Sequence, residues 1–408
     1  MAKIAEISGN SPSSLIRKRL YANKLAMTSL VFIVSMIFLA IFAYVIIPDN
    51  TRHANDGAVE LGKVSPGTTA QFIKVPKNLS IERSSWLSQI FYGRDSDFII
   101  IPIDNYEISG IDVLAYLPGK RNHKRTLNLL DITMPSGYEL AEDEPDVWEH
   151  SNFNVINPAG ETIQISYDSL KNLFLEKHLE RRMFLMGTDR SGRDLLSRLI
   201  LGVRVSLSIG FIAVCISILI GTFFGSLAGY FGGKIDDLIM WIMSVVWAVP
   251  GIMLVIAISM ALQSRGIWVA FIAVGLTTWV EVARVVRGQM MSLKEKQFVE
   301  AAAAYGLRDL KIVFTHILPN MRGPLIVIAT ANFASAIMLE AGLSFLGLGV
   351  QPPVPSWGSM VYDGFQVLGA KHSWHMIFFP GLAICLLVLS FNILGNSLND
   401  AINPKSTN

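Results

Sequence analysis

"EAAAAYGLRDLKIVFTHILPN", Glu300 to Asn320, is a pair of soluble-type helical segments around one glycine, set between two long apolar stretches. Glu300 followed by four alanines predicts a short, strong helix; Gly306 permits a change of direction, and Pro319 stops the second segment. What flanks the pair decides the fold. Ile267 to Val286 before it and Leu325 to Leu348 after it are each long and apolar enough to cross a bilayer. The whole chain agrees: 51% hydrophobic and 16% charged residues with a mean hydropathy of +0.45 place these 408 residues in the membrane class.

Six spans are expected. The first, Leu25 to Ile47, carries no charge and rises roughly 34 Å at about 1.5 Å per residue, against a bilayer core of about 30 Å. A cleaved signal peptide is the competing reading. The run exceeds the usual apolar region of such a peptide and no small-residue cleavage site follows, so it reads as an uncleaved anchor. The others are Val205 to Tyr230, Leu238 to Leu262, Ile267 to Val286, Leu325 to Leu348 and Trp374 to Leu394. The fold class is therefore an all-α polytopic membrane bundle. Gly221, Gly225 and Gly229 lay small residues along one helix face, a packing seam unless the spacing is chance. Pro250-Gly251 bends the third span near its middle. Glu281 and Glu340 lie in or near spans, as pathway residues or as structural pairs, for example Glu281 with Arg284 one turn on. Before the second span, "GTDRSGRDLLSRLILGVRVSL" (187 to 207) stacks Leu195, Leu196, Leu199, Ile200 and Val203 on one stripe, an expected interfacial helix, with Arg193 and Arg198 elsewhere around its axis.

With the N-terminus inside, the inner flanks hold 14 basic residues, among them Lys3, Lys234, Arg284, Arg287 and Lys405. The outer short flanks hold 6, including Arg190, Arg265 and Lys371, so both termini and the opening stretch are expected in the cytoplasm. Residues 48 to 183 are of a different composition. They carry 14 basic and 20 acidic side chains, and the runs "DFIIIPI" (97 to 103), "GIDVLAYL" (110 to 117) and "ETIQISY" (161 to 167) look like strands. This reads as a small, mostly β, water-facing insert. The acidic run "YELAEDEPDVWEH" (138 to 150) lacks the Gly turn and ligand spacing of an EF-hand and reads as a solvated loop.

No chemistry of its own is expected of the chain. None of Gly62-Lys63, Gly119-Lys120 and Gly233-Lys234 is followed by the Ser or Thr of a phosphate-binding loop, and no histidine begins an H-E-x-x-H pair. Cys215 and Cys385 sit in apolar runs and read as buried packing thiols, with no disulfide or metal spacing. Catalytic residues, metal ligands, cofactors and a nucleic-acid partner are not called for, and no residue stands out as substrate-binding.

Glu300-Ala301-Ala302, then Gly306, then His316-Ile317-Leu318-Pro319 resembles the EAA loop of the membrane subunits of bacterial ABC importers. More closely, the chain resembles the dipeptide/oligopeptide/nickel permease family in its second-permease branch. The likeness extends to "GYFGGKIDD" (229 to 237), "WVEVARVVRGQMMSL" (279 to 293), "LEAGLSFLGLGVQPPVPSWGSM" (339 to 360) and "FNILGNSLNDAINPK" (391 to 405). Departures are His316 in place of the general pattern's Ile, Asn399 and Asn403 where the branch tends to have a charge, and an insert longer than the usual first loop. The resemblance implies six membrane helices in an ABC-importer permease bundle, in the bacterial cytoplasmic membrane. Together with the spans and the charge balance it divides the chain into a cytoplasmic tail (1 to 24), the first helix (25 to 47), an extracytoplasmic insert (48 to 183) that nothing in the resemblance accounts for, a permease core (184 to 400) containing the coupling loop (290 to 320), and a short cytoplasmic tail (401 to 408). It also implies that Glu300, Ala301, Ala302, Gly306, Leu318 and Pro319 couple the chain to an ATPase. The implied partners are two ATP-binding subunits, a second permease, an extracytoplasmic substrate-binding protein and membrane lipid.

Two other classes stay open on sequence. A membrane-anchored receptor would use 48 to 183 as its ligand domain and would need a cytoplasmic output domain larger than the tail after Leu394. An ABC exporter subunit would normally carry or be fused to its ATPase.

Overall fold

The computed structural model describes residues 12–77, 85–119, 123–134, 137–141, 151–263 and 266–402. Lys3, Lys120, Arg265, Asn403, Lys405 and the acidic run from 142 to 150 lie outside the described residues. In chain order, helices α1 (Pro12–Ala22) and α2 (Lys24–Ile46) lead into strand β1 (Thr68–Pro76), α3 (Trp86–Tyr92), β2 (Phe98–Ile103), β3 (Asn105–Ser109), β4 (Asp112–Tyr116), β5 (Lys124–Asn128) and α4 (Leu129–Thr133). Then follow β6 (Glu139–Leu140), β7 (Asn152–Ile156), β8 (Thr162–Ser166), α5 (Tyr167–Leu173) and β9 (Leu179–Phe184). The remainder is helical: α6 (Leu195–Phe231), α7 (Gly233–Ala248), α8 (Gly251–Ala261), α9 (Ile267–Lys294), α10 (Gln297–Ala304), α11 (Asp309–Ile312), α12 (Leu318–Asn320), α13 (Arg322–Phe345), α14 (Trp357–Gln366) and α15 (His375–Ile402). Two compact units divide the chain, one of residues 1–41, 202–362 and 380–408, the other of residues 42–201 and 363–379.

Among the described residues, five helices are long and apolar enough to cross a membrane: α2, α6, α9, α13 and α15; α7 and α8 make a sixth only if taken as one bent span. The expected third span is thus broken rather than merely bent. Its halves meet at 94°. Val249 and Pro250 are both extended, with ψ of 128° and 130°. Proline disfavours the helical region for the residue before it, so the chain leaves the helix for two residues instead of losing one hydrogen bond. The expected interfacial helix differs too. Its apolar stripe forms the first turns of α6, a single helix of 37 residues with no proline to end it.

The bundle is held by small-residue contacts and a few polar ties. Phe333 of α13 stacks on Phe391 of α15, ring centres 4.0 Å apart. Arg287 of α9 donates from Nε and Nη2 to the two carboxylate oxygens of Asp236 of α7, both at 2.6 Å, a fork that fixes orientation as well as distance. Arg284 lies 4.1 Å from the ring centre of Trp247, and among the described residues it forms no ion pair with Glu281, which is exposed. The expected Glu281–Arg284 pair is therefore replaced by a contact with α7. Glu340 is buried; Ser344 Oγ, one turn on, donates to its Oε1 at 2.7 Å. The cysteines are free, but Cys385 is exposed and Cys215 half-buried, so neither is the enclosed thiol expected.

The second unit carries three antiparallel sheets of order β2-β1-β9, β3-β4-β5 and β6-β7-β8. Strands occupy 98–103, 112–116 and 162–166, inside the three runs read as strand-like. β1 is the middle strand of its sheet. Accordingly Ile73 faces one core with Ile101, Val113, Phe153 and Phe174, while Phe72 faces another with Leu61 and Phe184. Arg193 and Arg198 are buried, not spread around a solvated face: Asp189 takes Arg193 at 2.7 Å and Arg198 at 3.4 Å. Nearby, burial pushes the Asp56 carboxyl above the usual range although Arg182 sits 3.0 Å away. Glu180 is also opposed by burial, yet hydrogen bonds from Arg182 at 2.7 Å and Lys74 at 3.1 Å hold it below that range.

Candidate coupling loop and helix seam

α10 begins after Lys296 and places Glu300 in its first turn, where the helix dipole favours an acid. Val299 and Ala302 are buried, while Glu300 and Ala301 face outward. After Tyr305 the chain turns at Gly306, with φ +77° and open space where a Cβ would stand. This left-handed conformation is the one glycine adopts without steric penalty. Gly306 N–H donates to Ala303 O at 2.9 Å and Leu307 N–H to Ala302 O at 3.3 Å, closing the helix end.

α11 starts at Asp309 and continues through a wider, π-type turn over Val313–Ile317 into α12. Pro319 lies inside α12 and does not itself end the segment; Met321, with φ −92° and ψ 1°, separates α12 from α13. The wide turn precedes a proline that lacks an N–H and crowds the preceding turn, which is a recurrent setting for such bulges. Leu318 and Pro319 are half-buried.

The underside of the loop is built into the bundle. Val299, Ala302, Ile312, Val313, Ile317 and Met321 share a core with Tyr230 of α6 and Val282, Val286 and Met290 of α9. Polar ties complete the mounting: Tyr230 Oη donates to Asp309 Oδ1 at 2.8 Å, and Lys294 Nζ donates to Tyr230 O at 2.6 Å. The Lys294 ammonium thus meets a last-turn carbonyl of α6, where a cation suits the helix dipole. Large apolar or aromatic side chains of the loop remain exposed. Tyr305, Leu310 and Phe314 are 89%, 60% and 67% exposed; Leu310 and Phe314 line an apolar cavity with Leu219, Phe223 and Phe231 of α6. None of the three stands out in the sequence. The available signal is that Leu310 and Phe314, four apart on one helical stripe, lie on a different face from Ile312.

Behind the loop, α6 and α9 run in close contact. A Cβ on Gly221 would stand 2.5 Å from Val282 Cβ; on Gly225, 2.5 Å from Ala283 O; on Gly229, 2.7 Å from Arg287 O. Ser217 and Thr278 hydroxyls meet at 2.7 Å along the same contact. The loop and the glycine stripe therefore belong to one assembly: the loop rests on the ends of the two helices that the glycines bring together.

Residues 221–408 match the family described as "Binding-protein-dependent transport system inner membrane component", and residues 11–60 match "N-terminal TM domain of oligopeptide transport permease C". The chain is 40% identical over 219 residues to the oligopeptide transport system permease protein OppC of Bacillus subtilis (strain 168), spanning 54% of this chain and 71% of that one. It is 43% identical over 219 residues to the dipeptide transport system permease protein DppC of Alkalihalophilus pseudofirmus, spanning 54% and 71%. It is 42% identical over 239 residues to the glutathione transport system permease protein GsiD of Escherichia coli O6:K15:H31, spanning 59% and 76%. Among solved structures, an inward-facing MetNI methionine ABC transporter chain is similar at a TM-score of 0.44 and 18% identity, over 51% of this chain and 98% of that one. The chain belongs to the oligopeptide and dipeptide permease family of binding-protein-dependent ABC importers, as a multi-pass permease subunit. The exporter and receptor alternatives give way to that assignment.

Proposed function

We propose that the chain carries peptides, or a closely related small solute, into the cell by alternating access, driven by two separate ATP-binding subunits and completed by a second permease and an extracytoplasmic binding protein. The peptide class follows the relatives, which are oligopeptide, dipeptide and glutathione permeases. The coupling role rests on one observation: loop 297–320 buries Val299, Ala302, Ile312 and Ile317 against α6 and α9 and leaves Glu300, Ala301 and Tyr305 exposed. In this reading Glu300, Ala301 and Tyr305 meet the ATPase; Ala302, Leu318 and Pro319 hold the loop; Gly306 sets its turn. Gly221, Gly225 and Gly229 pass the motion on through the α6–α9 contact. The complex purified with its partners hydrolyses ATP, and the chain purified alone does not. Sustained hydrolysis by the isolated chain overturns the proposal.

Both termini and the loop are cytoplasmic in this reading, and residues 48–183 form an extracytoplasmic, β-rich insert. The charge balance of the short flanks and the strands within the segment support this. Cysteine labelling tests it. Ser96 is half-buried and donates to Phe98 O at 2.7 Å, so the exposed Thr126 is the better reporter. In a chain lacking Cys215 and Cys385, Thr126→Cys reacts with a membrane-impermeant maleimide from the outer face, and the exposed Ser292→Cys reacts only after the membrane is opened. The reverse pattern inverts the topology and removes the loop from the ATPase.

A further inference from the structure

α3 buries none of its residues. Trp86, Leu87 and Tyr92 are 71%, 60% and 67% exposed, and Phe91 is exposed as well. At about 100° per residue, Trp86, Ile90, Leu87 and Phe91 fill an arc of about 140°, with Ser88, Tyr92 and Gln89 on the rest. A water-facing helix has no reason to present so much apolar surface, and a patch of this kind marks a contact.

Its place in the fold identifies the contact. Gly93, which closes α3, lies so close to Tyr44 of α2 that a Cβ there would stand 2.7 Å from the Tyr44 ring. Arg94 N–H donates to Asn50 O at 3.1 Å and Arg52 N–H to Arg94 O at 2.9 Å, tying the end of α3 to the chain just beyond α2. Trp86, Gln89 and Ile90 line a cavity of about 120 Å³ together with Tyr44, Val45 and Asn50. Val45 and Ile46, at the end of α2, are themselves exposed. α3 is therefore held at the level where a membrane-spanning helix leaves the hydrocarbon. At that depth indole and phenol rings are favoured, because an apolar ring and a polar tip meet acyl chain and headgroup at once. The exposed Arg52 and Arg94 stand beside it, as cations do at a phosphate layer.

We infer that α3 is an interfacial anchor that seats Trp86, Leu87 and Phe91 in the boundary of the lipid leaflet beside the end of α2. This rests on α2 being a membrane span, as the family assignment requires. A bilayer, not a protein, is the occupant because α3 is fastened to Tyr44 and Asn50, where α2 ends, beside the exposed Val45 and Ile46.

The test uses the full-length chain in phospholipid nanodiscs, without Cys215 and Cys385, spin-labelled at one new cysteine at a time. Collision rates with oxygen, which concentrates in lipid, are compared with those of a water-soluble nickel chelate. A label at Leu87→Cys collides severalfold more with oxygen relative to nickel than one at Thr126→Cys. Adding Trp86→Ser and Tyr92→Ser raises the nickel collisions at position 87. A position-87 label that matches position 126 overturns the inference, as does one shielded from both reagents, which would mean a protein covers α3. Val34→Cys, within α2, separates the two layers of the claim: a water-like reading there removes the span itself, whereas a lipid-like reading there with a water-like reading at 87 removes only the anchor.

Discussion

Gly306→Pro stops uptake while leaving the protein in the membrane at its normal level. The native φ of +77° lies far from the roughly −65° that the pyrrolidine ring imposes, and the proline also deletes the N–H that donates to Ala303 O. A penalty of about 3 kcal/mol would leave the docking-competent turn populated on the order of one part in a hundred. The bundle is spared because a Cβ at this position meets nothing within 4 Å. Gly306→Ala, which carries only the left-handed penalty of about 1 kcal/mol, falls between wild type and proline. Uptake into cells, normalised to membrane abundance, reads the series; unchanged uptake in the proline variant removes Gly306 from the coupling path.

Gly225→Leu has the opposite signature, with the protein itself lost. Its side chain would be driven into Ala283 O and Val286, forcing α6 and α9 apart where Gly221 and Gly229 also allow near contact. Overpacking of this kind typically destabilises by about 1–3 kcal/mol for small additions and more for branched ones. Gly225→Ala therefore lowers the melting temperature, and Gly225→Leu fails to accumulate as a monodisperse species in fluorescence-detected gel filtration. Gly288 is the internal control: it lies in α9 with open space around its Cβ position, so Gly288→Ala is neutral or stabilising by about 0.5–1 kcal/mol. A Gly225→Leu protein that accumulates and melts like wild type would falsify the seam.

Local chemistry was legible and distance was not. The spans were readable because the apolar runs are long, and the turn at Gly306 because glycine between two helical segments has one common use. Proline at position 250 announced a lost hydrogen bond, yet whether the chain bends slightly or by 94° depends on Val249 leaving the helical region as well. α6 was divided in two because its composition changes near Val205, whereas its backbone has no reason to stop there. Charges could be counted but not paired. Arg284 has Glu281 one turn away in sequence and turns instead to Trp247, and Arg193 and Arg198 converge on one aspartate. Tyr305, Leu310 and Phe314 were missed for a related reason: an apolar stripe reveals that a face exists, and only the fold says whether neighbours cover it.

The tie of Lys294 and Asp309 to Tyr230 has a mechanical consequence. A loop fastened at a single point would swivel under load and waste part of the applied displacement as backlash. Here one tyrosine is gripped twice, by its carbonyl from α9 and by its hydroxyl from α11, while an apolar bed fills the space beneath. In the proposed coupling role, a push on Tyr305 thus enters a joint with little play, and its direction is preserved as it reaches the paired shafts of α6 and α9.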